Sequence, residues 1–142
     1  MKTSKEILSS ITKTAQMGQV GIRTVMNYAK TKGLQQALHS QLKEYDMIEK
    51  EATRIAEQRG WEMQQLDPAA KVMSTAYAKA NLMIGNTDSR IAAMMITGNT
   101  KGMVKSIKNR HHGNRNDLQI DKLGEKLISF ENANIRQMQE YL

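Results

Sequence analysis

The sequence predicts an all-α protein: an antiparallel four-helix bundle with an extra short helix in the link between the second and third long helices. Apolar residues recur at helical spacing in four separate stretches, and residues that start or stop helices divide these stretches. No stretch alternates apolar and polar residues with the period of two that half-buried strands show. A length of 142 residues suits one domain, which we expect to span residues 1–142.

The first two predicted helices form a pair. The first starts at the capping residue Thr3, and Gly33 is its predicted stop. The second apolar stripe begins at Leu34 and ends before Gly60. Because only two or three residues separate the helices, we expect them to lie antiparallel.

The second half of the chain repeats this arrangement after a longer link. Asp67-Pro68 predicts the start of a short helix that continues to about residue 84. A third long helix is predicted from Asp88 to about residue 110. The last predicted helix is capped by Asn116 or Asp117 and reaches the C-terminus.

This order of elements resembles the ferritin-like superfamily and, more narrowly, bacterial ferritin-like families of unknown function. Three sequence features carry the resemblance: small residues within residues 15–21, a glycine-interrupted third helix at residues 97–102, and a last helix whose final part has the pattern Glu131, Ile135, Met138, Tyr141 and Leu142. The resemblance implies a ferritin-like bundle, and it raises the question of a di-iron site.

The residues do not supply such a site. Ferritin-like di-iron centres use four carboxylates and Glu-x-x-His motifs on two helices. Here Glu131 is the one inward carboxylate, and Asn134 stands where the motif has histidine. We therefore expect no metal and no other cofactor, but a buried polar layer that fixes the helix register. Its predicted members are Thr14, Gln41, Tyr45, Glu131 and Asn134. An ion or small-ligand pocket at Glu131 and Asn134 is the alternative.

Four glycines interrupt predicted helices, and each costs about 0.8–1 kcal/mol relative to alanine. They are Gly18, Gly21, Gly98 and Gly102. We predict that they serve close packing, by allowing helices to approach or by making room for a bulky side chain. A kink at residues 98–102 and a groove for a second subunit are the alternatives.

Positive charge is concentrated on the third helix. The net charge is +7, and no acidic residue lies between Asp88 and Asp117. The anion-binding candidates are Lys101, Lys105, Lys108, Arg110, His111 and Arg115. A solvated basic face is the favoured interpretation, and contact with the phosphates of nucleic acid, a nucleotide or an anionic membrane is the alternative.

These patterns favour a non-enzymatic protein. The chain has no Cys, and no nucleophile–base pair can be assembled from residue spacing. We expect a helical-bundle protein that acts by self-association, as a homodimer of acidic second and basic third helices, or through a protein partner. The alternatives are a basic module that binds nucleic acid or another polyanion non-specifically, and a ferritin-like metal-binding protein with unusual ligands. The absence of a signal sequence and of a long apolar run leads us to expect a cytoplasmic protein with no transmembrane segment.

Overall fold

The protein is all-helical, as predicted. A computed structural model describes residues 1–71 and 87–142. Within these ranges no strand occurs, and four long helices follow in chain order: α1 Ser4–Val25, α2 Lys32–Gln58, α3 Thr87–His112 and α4 Leu118–Gln139. No helix in these ranges is both long enough and apolar enough to span a membrane.

The helix α1 begins where the capping residue predicts, but it ends early. The Thr3 hydroxyl accepts a hydrogen bond of 3.1 Å from the Glu6 backbone N–H. α1 ends at Val25, a 3₁₀ turn follows at Met26–Tyr28, and Gly33 lies inside α2. The prediction of Gly33 as the stop was therefore wrong.

The early end of α1 is explained by an acidic residue that is far away in the sequence. The Asp88 carboxylate accepts hydrogen bonds from the backbone N–H groups of Lys30 and Thr31, at 2.8 and 3.0 Å. These bonds hold the chain in a non-helical connection before α2. Gly33 takes no positive φ, whereas Gly60 does, at +66°, where α2 ends. Gly60 thus supplies the left-handed residue that the sequence predicts there.

The link after α2 is described only at its start. Residues 61–67 run beside α1, where Lys13 Nζ donates to Gln64 Oε1 at 2.9 Å and the Leu66 N–H donates to Gln16 Oε1 at 3.1 Å. Helical backbone begins at Pro68, with the Ala69 N–H bonded to the Asp67 carboxylate at 2.9 Å. The predicted continuation of this helix to residue 84 lies outside the described residues.

The second helix pair is continuous. α3 runs unbroken through residues 98–102, so the alternative of a helix break there was wrong. α4 is capped by Asp117 rather than Asn116, and it ends at Gln139, three residues before the C-terminus.

Neighbouring helices run antiparallel. On α3 and α4, Arg110 pairs with Asp121 while Asn99 lies by Asn134, so residue numbers rise on one helix as they fall on the other. α1 packs most extensively on α2, and α3 on α4, while contacts between the two pairs are sparser. The core consists of buried aliphatic side chains from all four helices, among them Leu8, Ile22, Leu38, Ile48, Ile55, Ile91, Leu127 and Met138. Their burial is the main stabilising contribution.

Candidate functional site

Four polar side chains meet in the middle of the core. Tyr45 is 2% exposed, and its hydroxyl lies 2.7 Å from Asn99 Oδ1 and 3.1 Å from Glu131 Oε2. Asn134 Nδ2 lies 3.5 Å from the same Asn99 oxygen. The Tyr45 ring packs edge-on against Phe130 at 4.7 Å between ring centroids. We call Tyr45, Asn99, Glu131 and Asn134 the Tyr45 cluster.

The hydrogen-bond donors available in the Tyr45 cluster bear on whether the Glu131 carboxyl group is protonated. Asn99 Nδ2 donates to the Met95 carbonyl at 2.7 Å, so Asn99 Oδ1 is an acceptor. A phenol has one proton, and Tyr45 uses it on that acceptor. The Tyr45 hydroxyl is thus within reach of two acceptors, Asn99 Oδ1 and Glu131 Oε2, and both contacts are satisfied when Glu131 is a neutral acid that donates to the phenol oxygen. Burial favours that form, since it raises the pKa of Glu131 to about 8, against the opposing effect of a hydrogen bond from Tyr45.

One acceptor atom of the Tyr45 cluster has no donor. With Oε2 donating to Tyr45, Glu131 Oε1 is the carbonyl oxygen of the acid. It is buried, and no hydrogen-bond partner for it exists among the described residues. An unsatisfied buried acceptor costs about 1–3 kcal/mol. Glu131 therefore carries this cost inside the closed core.

Two of the four predicted glycines lie directly against side chains of the Tyr45 cluster, where a larger residue would overlap them. A Cβ at Gly18 would lie 2.5 Å from the Tyr45 ring, and a Cβ at Gly102 would overlap the Glu131 carboxyl group. Both positions therefore make room for a bulky side chain from another helix.

The predicted polar layer differs from the Tyr45 cluster in two members. Gln41 is buried but bonds to Gln137 at 2.9 Å, and Thr14 is only half-buried and forms no hydrogen bond with Glu131 or Asn134 among the described residues. Neither residue therefore belongs to the Tyr45 cluster. Asn99 was missed, although its i+4 spacing from the apolar Met95 could have revealed it.

A half-open cavity of about 640 Å³ lies between α1 and α3 and reaches the Tyr45 cluster, and its α3 wall includes the solvent-exposed Ala93, Thr97 and Gly98. We call it the α1–α3 cavity. Its apolar lining consists of Met17, Val25, Leu66, Ala93, Met94 and Met95. Its polar lining includes Thr14, Tyr45, Thr97, Asn99 and Glu131, and its cations are Lys13, Arg90, Lys101 and Lys105. The lining of the α1–α3 cavity thus combines apolar side chains with a smaller number of hydrogen-bonding and positively charged groups.

The other two predicted glycines open into this cavity. No atom of the described residues lies within 4 Å of a Cβ built at Gly21 or at Gly98. Among the described residues these two positions therefore show no close packing, and the call stays a prediction for them. Both glycines line the α1–α3 cavity.

The predicted anion-binding residues fall into two groups. Lys101 and Lys105 line the α1–α3 cavity, and in the described parts of the chain neither they nor Lys108 forms an ion pair with an acid. Burial and the nearby Lys13 and Lys2 lower the pKa of Lys105. Lys108 is exposed and does not line the cavity.

Arg110 and Arg115 are engaged by acids of α4. Arg110 bonds to Asp121 at 2.8 Å and also to Glu125, and Arg115 Nε lies 4.0 Å from Asp121. The Arg110 charge is therefore balanced by acids of α4, whereas Arg115 is largely exposed and stays a prediction as an anion-binding residue. His111 is exposed near the same helix end and does not line the cavity.

Within residues 1–71 and 87–142, no three His, Asp or Glu side chains lie close enough together to hold a metal ion. Comparison of the chain with protein-family models, with curated proteins and with solved structures found no match.

Proposed function

We propose that this protein is a non-enzymatic binding protein, built as a ferritin-like four-helix bundle, that takes up an elongated small molecule in the α1–α3 cavity. The observation that carries the proposal is this cavity of about 640 Å³, into which two helix glycines open. Small-molecule sites range over about 300–1,000 Å³ and are lined mainly by apolar side chains with a few placed polar groups. The α1–α3 cavity has this size and this lining.

The bundle assignment is supported by the antiparallel contacts of the four long helices and by the helical start at Pro68 in the link. In ligand-binding bundles, the site lies in the core between facing helices. The Tyr45 cluster lies at such a place, and the α1–α3 cavity reaches it from the side where Ala93 and Gly98 are exposed. The ferritin-like relationship itself rests on the sequence features around residues 15–21, 97–102 and 131–142.

Binding rather than catalysis is supported by the chemistry of the lining. Glu131 and Tyr45 already contact each other, and the described lining residues include no nucleophile beside a base. Self-association and a protein partner remain predictions, and no contact described above favours either. A metal-dependent function with unusual ligands also remains a prediction, which elemental analysis of chelator-free protein would test.

Binding of a polyanion is the second candidate function. Lys101, Lys105 and Lys108 share one side of α3 by their spacing, and none of them forms an ion pair with a described acid. Such binding should be non-specific and should weaken steeply with salt. Unchanged heparin retention after Lys101, Lys105 and Lys108 are all replaced by Glu would refute it.

Methionine methyl NMR tests the cavity proposal directly. The chain has 11 Met, of which Met17, Met94 and Met95 line the α1–α3 cavity while Met47 is exposed and Met138 lies elsewhere in the core. We expect decanol to shift the methyl resonances of the three lining residues and to leave those of the other two unchanged. Equal shifts at all five would indicate non-specific association and would overturn the proposal.

A cavity-filling variant provides the matched comparison. Gly98→Leu places a side chain where no described atom lies within 4 Å of its Cβ, whereas Thr100→Leu adds the same side chain to an exposed position outside the cavity lining. We expect Gly98→Leu to weaken decanol binding by roughly tenfold or more, and Thr100→Leu to leave it unchanged. Equal affinity in the wild type and Gly98→Leu would place the ligand elsewhere.

A further inference from the structure

We infer that Lys13 of α1 and Lys101 and Lys105 of α3 form a binding site for a small phosphate monoester. We call these three residues the three-lysine site. The inference goes beyond the functions proposed above, because it requires neither a molecule that fills the α1–α3 cavity nor a polyanion. The three-lysine site also includes Lys13, which was not among the predicted anion-binding residues.

The antiparallel packing of α1 on α3 brings Lys13 to Lys105. Lys2 near the start of α1 bonds to Asn109 near the end of α3 at 2.6 Å, while the connection that follows α1 bonds to the start of α3. Asn109 Nδ2 also donates to the Ser10 hydroxyl at 2.7 Å. Lys13 lies three residues beyond Ser10, and Lys105 lies four residues before Asn109, which are rises of roughly 4.5 and 6 Å. Lys13 is therefore close to the level of Lys105.

Lys101 completes the site one helical turn away along α3. Residues four apart lie on the same side of a helix, about 6 Å from each other along its axis. Lys13, Lys101 and Lys105 all line the α1–α3 cavity. Two ammonium groups from α3 and one from α1 therefore border the same concave surface.

No acidic residue pairs with these three charges. Within residues 1–71 and 87–142 none of the three lysines forms an ion pair, and the sequence of residues 72–86 contains no Asp or Glu. Lys13 donates instead to the neutral Gln64 amide at 2.9 Å. Burial lowers the pKa of Lys105, and the positive charges of Lys13 and Lys2 lower it further, so these ammonium groups repel one another. A bound anion would relieve this repulsion.

Acids on the neighbouring helices do not supply the missing negative charge. Glu49 of α2 accepts hydrogen bonds from two glutamine side chains of α1, both at 2.8 Å. Glu131 of α4 is 1% exposed, and burial raises its pKa to about 8, so its protonated form prevails at pH 7. On α1 itself, Glu6 precedes Lys13 by seven residues, which is roughly 10 Å along the helix. The positive charge is therefore available to an anion from solvent.

A phosphate monoester matches the three-lysine site in charge and in number of acceptors. At pH 7 its phosphate group carries a charge of about −1.5 to −2 and three acceptor oxygens. Each ammonium group can donate to one of these oxygens, and such charge-assisted hydrogen bonds are about twice as strong as neutral ones. A carboxylate has only two oxygens and one charge, and each phosphate of a nucleic acid also carries one charge. We therefore expect the monoester to bind most tightly.

NMR titrations with three small anions test this choice, with the backbone amide shifts of residues 13, 101 and 105 as the readout. Methyl phosphate presents a terminal phosphate without an apolar chain, and methyl sulfate has a similar shape but a single charge. At low salt and pH 7 we expect methyl phosphate to bind with a dissociation constant of about 1 mM or below. Methyl sulfate and acetate should bind about tenfold more weakly. Equal affinities for the three anions, or no binding of methyl phosphate, would overturn the inference.

Charge variants with a control on each helix locate the site. Lys13→Gln, Lys101→Gln and Lys105→Gln should each weaken methyl phosphate binding by roughly fivefold. Lys5→Gln on α1 and Lys108→Gln on α3 are the controls, because both lysines are exposed and neither lines the cavity. Screening by solvent should limit their effect to roughly twofold at most. Equal losses in all five variants would mean that net charge alone attracts the anion.

The pKa of Lys105 provides a second readout, measured from its side-chain 13Cε shift and assigned with Lys105→Gln. Methyl phosphate bound beside this ammonium group favours the charged form and should therefore raise the lowered pKa. If saturating methyl phosphate left the pKa of Lys105 unchanged, the anion would not contact this residue.

Further outcomes separate this inference from the functions proposed above. If Lys108→Gln weakens the binding of heparin and of methyl phosphate as much as Lys105→Gln does, the surface binds polyanions and the inference is wrong. If methyl phosphate binds through the three lysines while decanol leaves the cavity methionines unshifted, the inference holds and the cavity proposal fails. The opposite pair of results would retain the cavity proposal and refute the three-lysine site.

Discussion

The same substitution at four helix glycines should change stability in opposite directions. Gly21 and Gly98 have no described atom within 4 Å of a built Cβ, so a methyl group there overlaps no described residue. The gain is then the helix propensity of alanine over glycine, about 0.8–1 kcal/mol for each position in a helix interior. Gly98 lies in the middle of α3, while Gly21 lies in the last turns of α1, where we expect a smaller gain. Together the two substitutions should stabilise the fold by roughly 1–2 kcal/mol.

Alanine at the other two positions should destabilise. The added methyl group would lie 2.5 Å from the Tyr45 ring at position 18 and would overlap the Glu131 carboxyl group at position 102. Overpacking of this kind typically costs 1–3 kcal/mol, which exceeds the propensity gain. We therefore expect Gly18→Ala and Gly102→Ala to lower the free energy of unfolding by about 1–2 kcal/mol each.

Equilibrium urea denaturation of the four single variants, followed by circular dichroism, measures these differences. Gly124→Ala in α4 is the control, because its Cβ would make an ordinary contact of 3.9 Å with Ile11 and lies outside the α1–α3 cavity. It should stabilise the protein by about 1 kcal/mol without changing decanol binding. Destabilisation by Gly21→Ala or Gly98→Ala would show that another group packs against these positions, and it would refute the open cavity.

Three further predictions concern buried and paired groups. Tyr45→Phe should lower the free energy of unfolding in urea by about 2–3 kcal/mol, since it leaves buried partners unpaired, and the exposed Tyr28→Phe should not; equal effects would contradict the Tyr45 cluster. The Arg59 guanidinium lowers the pKa of Asp117 from 3.8 to about 2, so the pair should contribute about 1 kcal/mol above pH 4, lost as pH falls through 2. When the free energy of unfolding is measured against pH, Asp117→Asn should lack this loss. If the variant lost stability in parallel with the wild type below pH 4, the Arg59–Asp117 pair would not be its cause. Burial raises the Glu131 pKa from 4.5 to about 8, so the free energy of unfolding should fall, by on the order of 3 kcal/mol, as pH rises from 4.5 to 8. Urea midpoints should be nearly constant over that range in Glu131→Gln, and equal slopes in both proteins would argue against a neutral Glu131.

The helices could be predicted from the sequence because their signals are local. The Thr3 cap and the Gly60 stop depend on residues within a few positions, and both occur as predicted. The end of α1 could not be predicted in this way, since it depends on Asp88, which is 58 residues from Lys30 along the chain. Gly33 has the residue type of a helix stop, but this type permits a left-handed conformation without requiring it.

Part of the candidate site could be predicted as well. Tyr45, Glu131 and Asn134 are polar residues at inward positions of apolar stripes, and this pattern is visible without a structure. Their pairing partner Asn99 was missed because the glycine before it was taken as the inward position of the helix. Which polar residues share one level depends on the relative shift of the helices along their axes, and no local pattern encodes that shift.

The α1–α3 cavity is the feature that was hardest to predict from the sequence. A cavity depends on how helices that are distant in the sequence pack against each other, and no local pattern records that packing. Gly18 and Gly21 look equivalent in the sequence, as do Gly98 and Gly102, yet one of each pair faces a large side chain and the other has no described atom within 4 Å of a built Cβ. For Gly18 and Gly102, the cost in helix propensity is offset by the burial of Tyr45 and Glu131. For Gly21 and Gly98, no packing among the described residues offsets it. Gly98 is exposed and Gly21 is half-buried, and under the proposed function a bound ligand would supply the contacts that these positions lack among the described residues.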